Sequence, residues 1–524
     1  MTNVTIGLVG VSRDWKDQCF HKMDLQKLKS NPYLQLLAVS LVLIGIVFGL
    51  TLFPSDPVQD QHLQPIQIQS GIWGIRKDVE VMLIADPSYG GKDIALTLLA
   101  PGPGQLNISD PAFDNKLGIA GVQLTWLSPD QQETEIKLAA ATGARYVGLD
   151  FDWRQIELVP GHYNWTELDQ IFALAKQHNL FLVPMLVFTP QWASQGAYAP
   201  LDYHRAPPKN VQDFRDFVYE VVNRYKPYGV SPLTSDGYGI KDWVIWNEPN
   251  THTSGVAPNP GKFWIASIEE YIELLRAGYE GAHAADPNSN VLNGAITDVF
   301  WTGDQSDISS GIERFYDPNG DGDASDGGRP FFDTLNIHLY QLDKPQAKWY
   351  QERLDKITAI MQRFGDDQKP IWITETGYGS ISSPLSAVRQ DSTGYVSEEE
   401  QANAISLVFE TALSYPQVER VFWWSLRDYF SDSSANNEAM EAHFGLLHVN
   451  FAPKPSFISY AQFTGHGGST LTLSAVLDEN GIASIKIPAS FIDQEGTYIL
   501  FAQLDANTPV TVATYQVVSE GEID

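Results

Sequence analysis

Two segments of this chain run an apolar strand into a single glutamate. Trp243-Val244-Ile245-Trp246 leads into Asn247-Glu248-Pro249-Asn250, and Ile371-Trp372-Ile373-Thr374 leads into Glu375-Thr376-Gly377-Tyr378. The C-terminal ends of the strands are where a parallel barrel keeps its catalysts. Two carboxyl groups across one gap suit cleavage of a glycosidic bond, because one can protonate the leaving oxygen while the other stabilises or attacks the oxocarbenium-like carbon. Such a division needs two environments: Glu248 held protonated beside a second negative charge, and Glu375 kept ionised by hydrogen-bond donors. Taken singly, Asn-Glu-Pro is more often a turn with a solvated glutamate, and a glutamate after a strand more often a neighbour of a helix cap. The pairing on two barrel strands is what points to catalysis.

The elements that must position these groups repeat along the chain. From about Gly118, apolar runs alternate with amphipathic stretches at βα spacing. Eight strands are expected: Ile119–Leu124, Tyr146–Phe151, Leu180–Leu186, Trp243–Trp246, Val291–Ile296, Leu335–Leu339, Ile371–Thr374 and Val421–Trp424. The glutamates then close strands four and seven of a TIM (β/α)8 barrel in the α/β class. Between strands, Phe214, Phe217, Val218, Val221, Val222 and Tyr225 mark one helix face, and Ile268, Tyr271, Ile272, Leu275 and Tyr279 mark another. Ser128-Pro129 predicts a helix start, and Ser397 with Glu400 a capping box.

Motifs along strands two and three, Asp150-Phe151-Asp152-Trp153-Arg154-Gln155-Ile156-Glu157, Gly161-His162-Tyr163-Asn164-Trp165 and Thr189-Pro190-Gln191-Trp192-Ala193, join the two glutamates in a resemblance. Over roughly residues 118–463 the chain resembles the clan of retaining glycoside hydrolases with an acid/base glutamate after Asn on strand four and a nucleophile on strand seven. It looks most like the β-xylosidase and α-L-iduronidase family and cellulase-like relatives. The resemblance implies that Asn247 bonds the 2-hydroxyl of the sugar being cleaved, that Tyr340 lies beside the nucleophile, and that His338 lines the same pocket. It also implies that Trp424, in Phe422-Trp423-Trp424-Ser425-Leu426, floors the subsite; an aromatic face suits the C–H face of a sugar. Trp192 is a further sugar-binding candidate, with wall packing as its alternative. One position departs from the pattern: relatives carry an arginine on strand two where this chain has Gly148. The low pKa required of Glu375 must then come from other donors.

Asp317-Pro318-Asn319-Gly320-Asp321-Gly322-Asp323 spaces Asp317, Asn319, Asp321 and Asp323 as calcium loops space their oxygen ligands, but position twelve is Gly328 rather than Glu. A structural calcium and an acidic surface turn are the two readings, and the glycosidic chemistry itself requires no cofactor. The net charge of −30 removes the attraction on which nucleic-acid binding depends. With one cysteine, Cys19, no intrachain disulfide can form.

Residues 33–53 carry no charge and are long enough to cross ~30 Å of hydrocarbon as a helix. Arg13, Lys16, Lys22, Lys27 and Lys29 precede them and the next basic residue is Arg76, so the N-terminus is expected in the cytoplasm and the rest outside a cell membrane spanned once. The expected organisation is a basic cytoplasmic segment (1–32), a transmembrane helix (33–53), a stalk (54–71), a β-rich lead-in (72–117), the barrel (118–463) and a small C-terminal β appendage (464–524). The leading expectation is a retaining glycoside hydrolase acting on an extracellular carbohydrate. A catalytically inactive cell-surface glycan-binding barrel and an envelope transglycosylase are the alternatives.

Overall fold

The computed structural model describes residues 66–519 apart from 69, 104–115, 123, 196–201, 252–262, 299–307, 342, 382–394, 430–442, 505–507 and 509. The expected membrane-crossing stretch 33–53 lies outside the described residues, with 1–32 and most of the stalk. Among the described residues no helix is long and apolar enough to cross a membrane.

Eight parallel strands alternate with helices: β1 (Leu117–Ala120), α1 (Pro129–Ala141), β2 (Tyr146–Asp152), α2 (Thr166–Gln177), β3 (Phe181–Val187), α3 (Val211–Tyr225), β4 (Asp242–Ile245), α4 (Ile268–Ala285), β5 (Asn290–Asn293), α5 (Ile308–Tyr316), β6 (Leu335–Leu339), α6 (Ala347–Arg363), β7 (Ile371–Thr376), α7 (Glu398–Leu413), β8 (Val418–Trp424) and α8 (Pro455–Phe463). Their order is β6-β7-β8-β1-β2-β3-β4-β5, and bridges between Leu292 and Thr334 and between Ile296 and Ile337 join β5 to β6, closing the ring.

Side-chain alternation divides each strand between two cores. Val147, Leu149 and Phe151 of β2 and Leu335, Ile337 and Leu339 of β6 face the helices in the main cluster. Inside the ring, Ala120, Tyr146, Val183, Val244, Leu292, Trp372 and Phe422 fill a separate layer. It floors the mouth. The α3 face read from the sequence is fully buried, each large apolar side chain contributing ~1.5–3 kcal/mol. Ser128 and Ser397 both form complete capping boxes, Ser128 with Gln131 and Ser397 with Glu400.

The lead-in and the C-terminal strands do not make separate pieces. Strands 467–476, 93–101, 496–503, 511–518 and 71–74 form one sheet in that order, and 67–68, 79–84 and 482–487 form another. Together they enclose a core containing Leu83, Ile94, Leu98, Tyr498 and Leu500, with Trp73 stacked on Tyr515 at 3.9 Å. The turn at Asn480-Gly481 therefore carries the chain from one sheet to the other instead of closing a hairpin: 467–476 pairs with 93–101, and 482–487 with 79–84. This module braces the barrel where Phe501 meets Phe457 of α8 edge-on at 5.6 Å.

Candidate active site

Both glutamates stand at the C-terminal mouth, on backbone the strands have just released. Trp246 (φ 73°) and Glu248 (φ 39°) adopt the left-handed region, which costs a side-chain-bearing residue of order 1–3 kcal/mol and is retained where surrounding contacts impose it. Here the Trp246 indole donates to the Phe263 carbonyl at 3.1 Å, and the Glu248 carbonyl accepts from the Thr251 hydroxyl at 2.8 Å. On β7 the pairing with β6 slips after Ile337–Ile373, so that His338 faces Glu375. That bulge lets both Thr374 and Glu375 reach the mouth.

The two carboxyl groups meet across a histidine. His338 Nδ1 lies 2.8 Å from Glu248 Oε1 and 3.3 Å from Glu375 Oε2. One atom from each of the three residues falls within 4.8 Å of the other two. The Tyr340 hydroxyl donates to Glu375 Oε2 at 2.7 Å. Asn247 is buried, and its Oδ1 has no hydrogen-bond partner among the described residues, leaving an acceptor open to a ligand hydroxyl. Trp424 is half-buried, with Tyr340, Tyr429 and Phe444 edge-on to it at 6.2, 5.5 and 5.1 Å.

The electrostatics depart from the expected division. Glu248 is raised above the ordinary carboxylate range by burial first, and it shares a mutual repulsion with Glu375. Glu375 is not depressed but raised, also by burial; the Tyr340 hydroxyl and, only when its ring is charged, His338 pull it back, while Glu248 and Asp150 push it up. Tyr340 is the donor that the missing strand-two arginine left unnamed, and it offsets desolvation only in part. His338 is pushed down by burial, against the pull of Glu375. Because Glu375 also accepts from the Tyr340 hydroxyl, a donor that Glu248 lacks, Glu375 is the more acidic of the two and Glu248 keeps the proton.

Trp192 stands apart from this constellation. Its indole donates to the Glu157 carbonyl at 2.9 Å and its ring meets Trp153 edge-on at 5.7 Å, so its polar handle is spent on wall packing. In the acidic loop, Asp317 accepts from the backbone N–H groups of Gly320, Asp321 and Gly322, Asp321 from that of Asp323, and Asp323 from that of Ser325. The Asn319 amide turns to Asp326 at 2.5 Å. Asp317, Asp321 and Asp323 do not bring three oxygens within 4.8 Å, a convergence that the described residues achieve only at the two glutamates and His338. Both oxygens of Asp317 and one each of Asp321 and Asp323 thus accept from the loop's own backbone.

Sequence reading passed over Tyr429, Phe444, Asp150, Thr374 and Asn336. Inward alternation on β6 would have flagged Asn336 two residues before His338, and Asp150 occupies the inward register of β2 above Gly148. Tyr429 and Phe444 come from loop positions that carry no periodic signal.

Residues 240–449 match the family model described as glycosyl hydrolase catalytic core. A β-xylosidase of Geobacillus stearothermophilus is 22% identical over 360 residues, covering 63% of this chain and 63% of the relative's length. A family 39 glycoside hydrolase from the gut symbiont Bacteroides cellulosilyticus WH2 superposes with a TM-score of 0.51 at 16% identity, over 76% of this chain and 82% of that one. The chain thus folds as a (β/α)8 barrel, and the segment of it that holds both strand-end glutamates is similar to the glycosyl hydrolase catalytic core.

Proposed function

We propose that the chain is a retaining glycoside hydrolase that cleaves O-glycosidic bonds by double displacement. The observation that carries this reading is the closeness of Glu248 and Glu375, whose nearest oxygens lie within 4.8 Å. Retaining enzymes hold their carboxyl groups ~5–5.5 Å apart, whereas inversion needs ~6.5–9.5 Å to admit a water. Glu248, protonated, delivers its proton to the leaving oxygen as Glu375 attacks the anomeric carbon. Glu248, then ionised, takes a proton from the water that releases the sugar. Asn247 accepts from a ring hydroxyl and Trp424 lies against the sugar. No cofactor enters these steps.

The substrate we infer is a neutral pyranoside of the β-xyloside type rather than a uronide. Asp150 joins the two glutamates in acting on the mouth, so a substrate carboxylate would meet like charge. Arg154, the cation acting on Asp150, is already engaged by both oxygens of Asp152. An extracytoplasmic, membrane-anchored placement is part of the proposal and rests on residues 33–53 with their basic flank. Gly148 in place of the relatives' arginine favours a second reading, a barrel that binds glycan without turnover.

A panel of aryl glycosides, xyloside and glucuronide among them, offered to wild type and Glu375→Gln separates the readings. Hydrolysis by wild type alone, with an activated fluoro-sugar adding one glycosyl mass on Glu375, is the expected result. Binding without release of any aglycone would leave only the second reading.

A further inference from the structure

Beneath the two glutamates a hydrogen-bonded chain crosses β5, β6 and β7, and its polarity can be read from the backbone inward. The Asn336 backbone N–H donates to Asn293 Oδ1 at 2.8 Å, which leaves the Asn293 amide nitrogen to donate to the Gly294 and Asn336 carbonyls at 2.9 and 3.1 Å. Asn336 in turn faces the Asn293 carbonyl at 3.2 Å, and a carbonyl can only accept, so the atom facing it is Nδ2. Asn336 Oδ1 is then the atom 2.7 Å from the Thr374 hydroxyl. An amide oxygen cannot donate, so the Thr374 proton points to it, and Thr374 Oγ1 is free only to accept from His338 Nε2 at 3.1 Å. All four of these side chains are buried, at 5% exposure or less, so water does not compete for the bonds.

We propose that Thr374 and Asn336 are positioning residues that hold His338 as its Nε2–H tautomer, so that its bare Nδ1 accepts from Glu248 and keeps the proton on the acid. A ring with the opposite tautomer would donate from Nδ1 and stabilise the Glu248 carboxylate instead. Burial, which disfavours a charged His338, agrees with the neutral ring. The other titratable groups around the pair are Glu375 of β7, Tyr340 after β6, Asp150 of β2 and Tyr429 after β8, with Arg154 acting on Asp150. None of them donates to Thr374 or Asn336, so the tautomer is set from below the site.

The kinetic consequence rests on the glycosidase reading. In Thr374→Val the hydroxyl is lost with little change of volume, and the ring is free to turn its proton to Nδ1. The alkaline limb of kcat/KM, where Glu248 loses its proton, should move down by about one pH unit, and Thr374→Ser should restore it. A uniform fall in kcat/KM with the limb unmoved, or a Thr374→Ser profile that moves as the valine variant does, would overturn the proposal.

A second measurement does not depend on turnover. 15N shifts of the histidine rings in the full-length wild type, with His338 assigned by its loss in His338→Gln, should show Nε2 protonated and Nδ1 bare at neutral pH. A protonated Nδ1 would sink the idea whatever the kinetics. Should wild type hydrolyse nothing in the panel, the functional reading fails and the 15N spectrum alone decides the inference.

Discussion

Replacing Tyr340 with Phe removes one hydroxyl and isolates what the site does to Glu375, the proposed nucleophile. In the structure that hydroxyl donates to Glu375 Oε2 at 2.7 Å, within a mouth where burial already lifts the Glu375 carboxyl. A hydrogen bond to a charged group is worth about 1.5–3 kcal/mol, and one pKa unit corresponds to about 1.4 kcal/mol, so its loss should raise the Glu375 pKa by about one to two units. The bond favours the ionised form, hence its removal delays ionisation to higher pH. The acid limb of the kcat/KM profile should move up by that amount, with a fall of about 10- to 100-fold at pH values below the wild-type limb and a smaller one on the plateau. The assay is hydrolysis of an aryl glycoside across pH, paired with the rate of labelling by a fluoro-sugar, which reads nucleophile ionisation without the acid step. An acid limb that stays in place would refute the view that Tyr340 substitutes for the missing cation.

Three further outcomes follow. Gly121 has φ 65°, and a Cβ there would fall 2.3 Å from Trp424 Nε1 and 2.9 Å from Tyr429 Oη, so Gly121→Ala should displace Trp424, the proposed sugar floor, and lower kcat/KM on the order of 100-fold; wild-type kinetics would show that Trp424 does not need its present seat. Burial raises the Glu248 carboxyl in the folded chain, so its share of stability is complete below the unfolded carboxylate pKa and is lost as pH rises through the folded value. Melting curves of Glu248→Gln should therefore match wild type near pH 4 and exceed it by about 2 °C at pH 9, and an advantage confined to acid would contradict the raised pKa. Trp73→Ala should cost about 3–5 kcal/mol by emptying the space against Tyr515, lowering Tm while leaving kcat at 25 °C near wild type, because the residue lies in the accessory core; an equal loss of kcat would tie that module to the site.

The β/α alternation, both strand-end glutamates, the α3 face, the helix start at Ser128 and the capping box at Ser397 were legible in the sequence. Each depends on neighbours within a few residues, where a period of two or 3.6 betrays the buried side. The same locality explains where the reading stopped. The C-terminal β appendage and the lead-in read as separate pieces because nothing nearby reports that 482–487 will pair with 79–84, some four hundred positions earlier in the chain. The bulge that brings Thr374 beside Glu375 arises from a slip against β6, and Tyr429 and Phe444 enter the pocket from loops with no period to follow.

Sequence alone determined which two carboxyl groups would face the mouth, because a residue's place at the end of a strand is a local property. Which of them holds the proton was decided only by the tertiary structure. Desolvation, the reach of Tyr340 and the tautomer of His338 each depend on groups from different strands closing around one another, and a carboxylate in water has none of that environment.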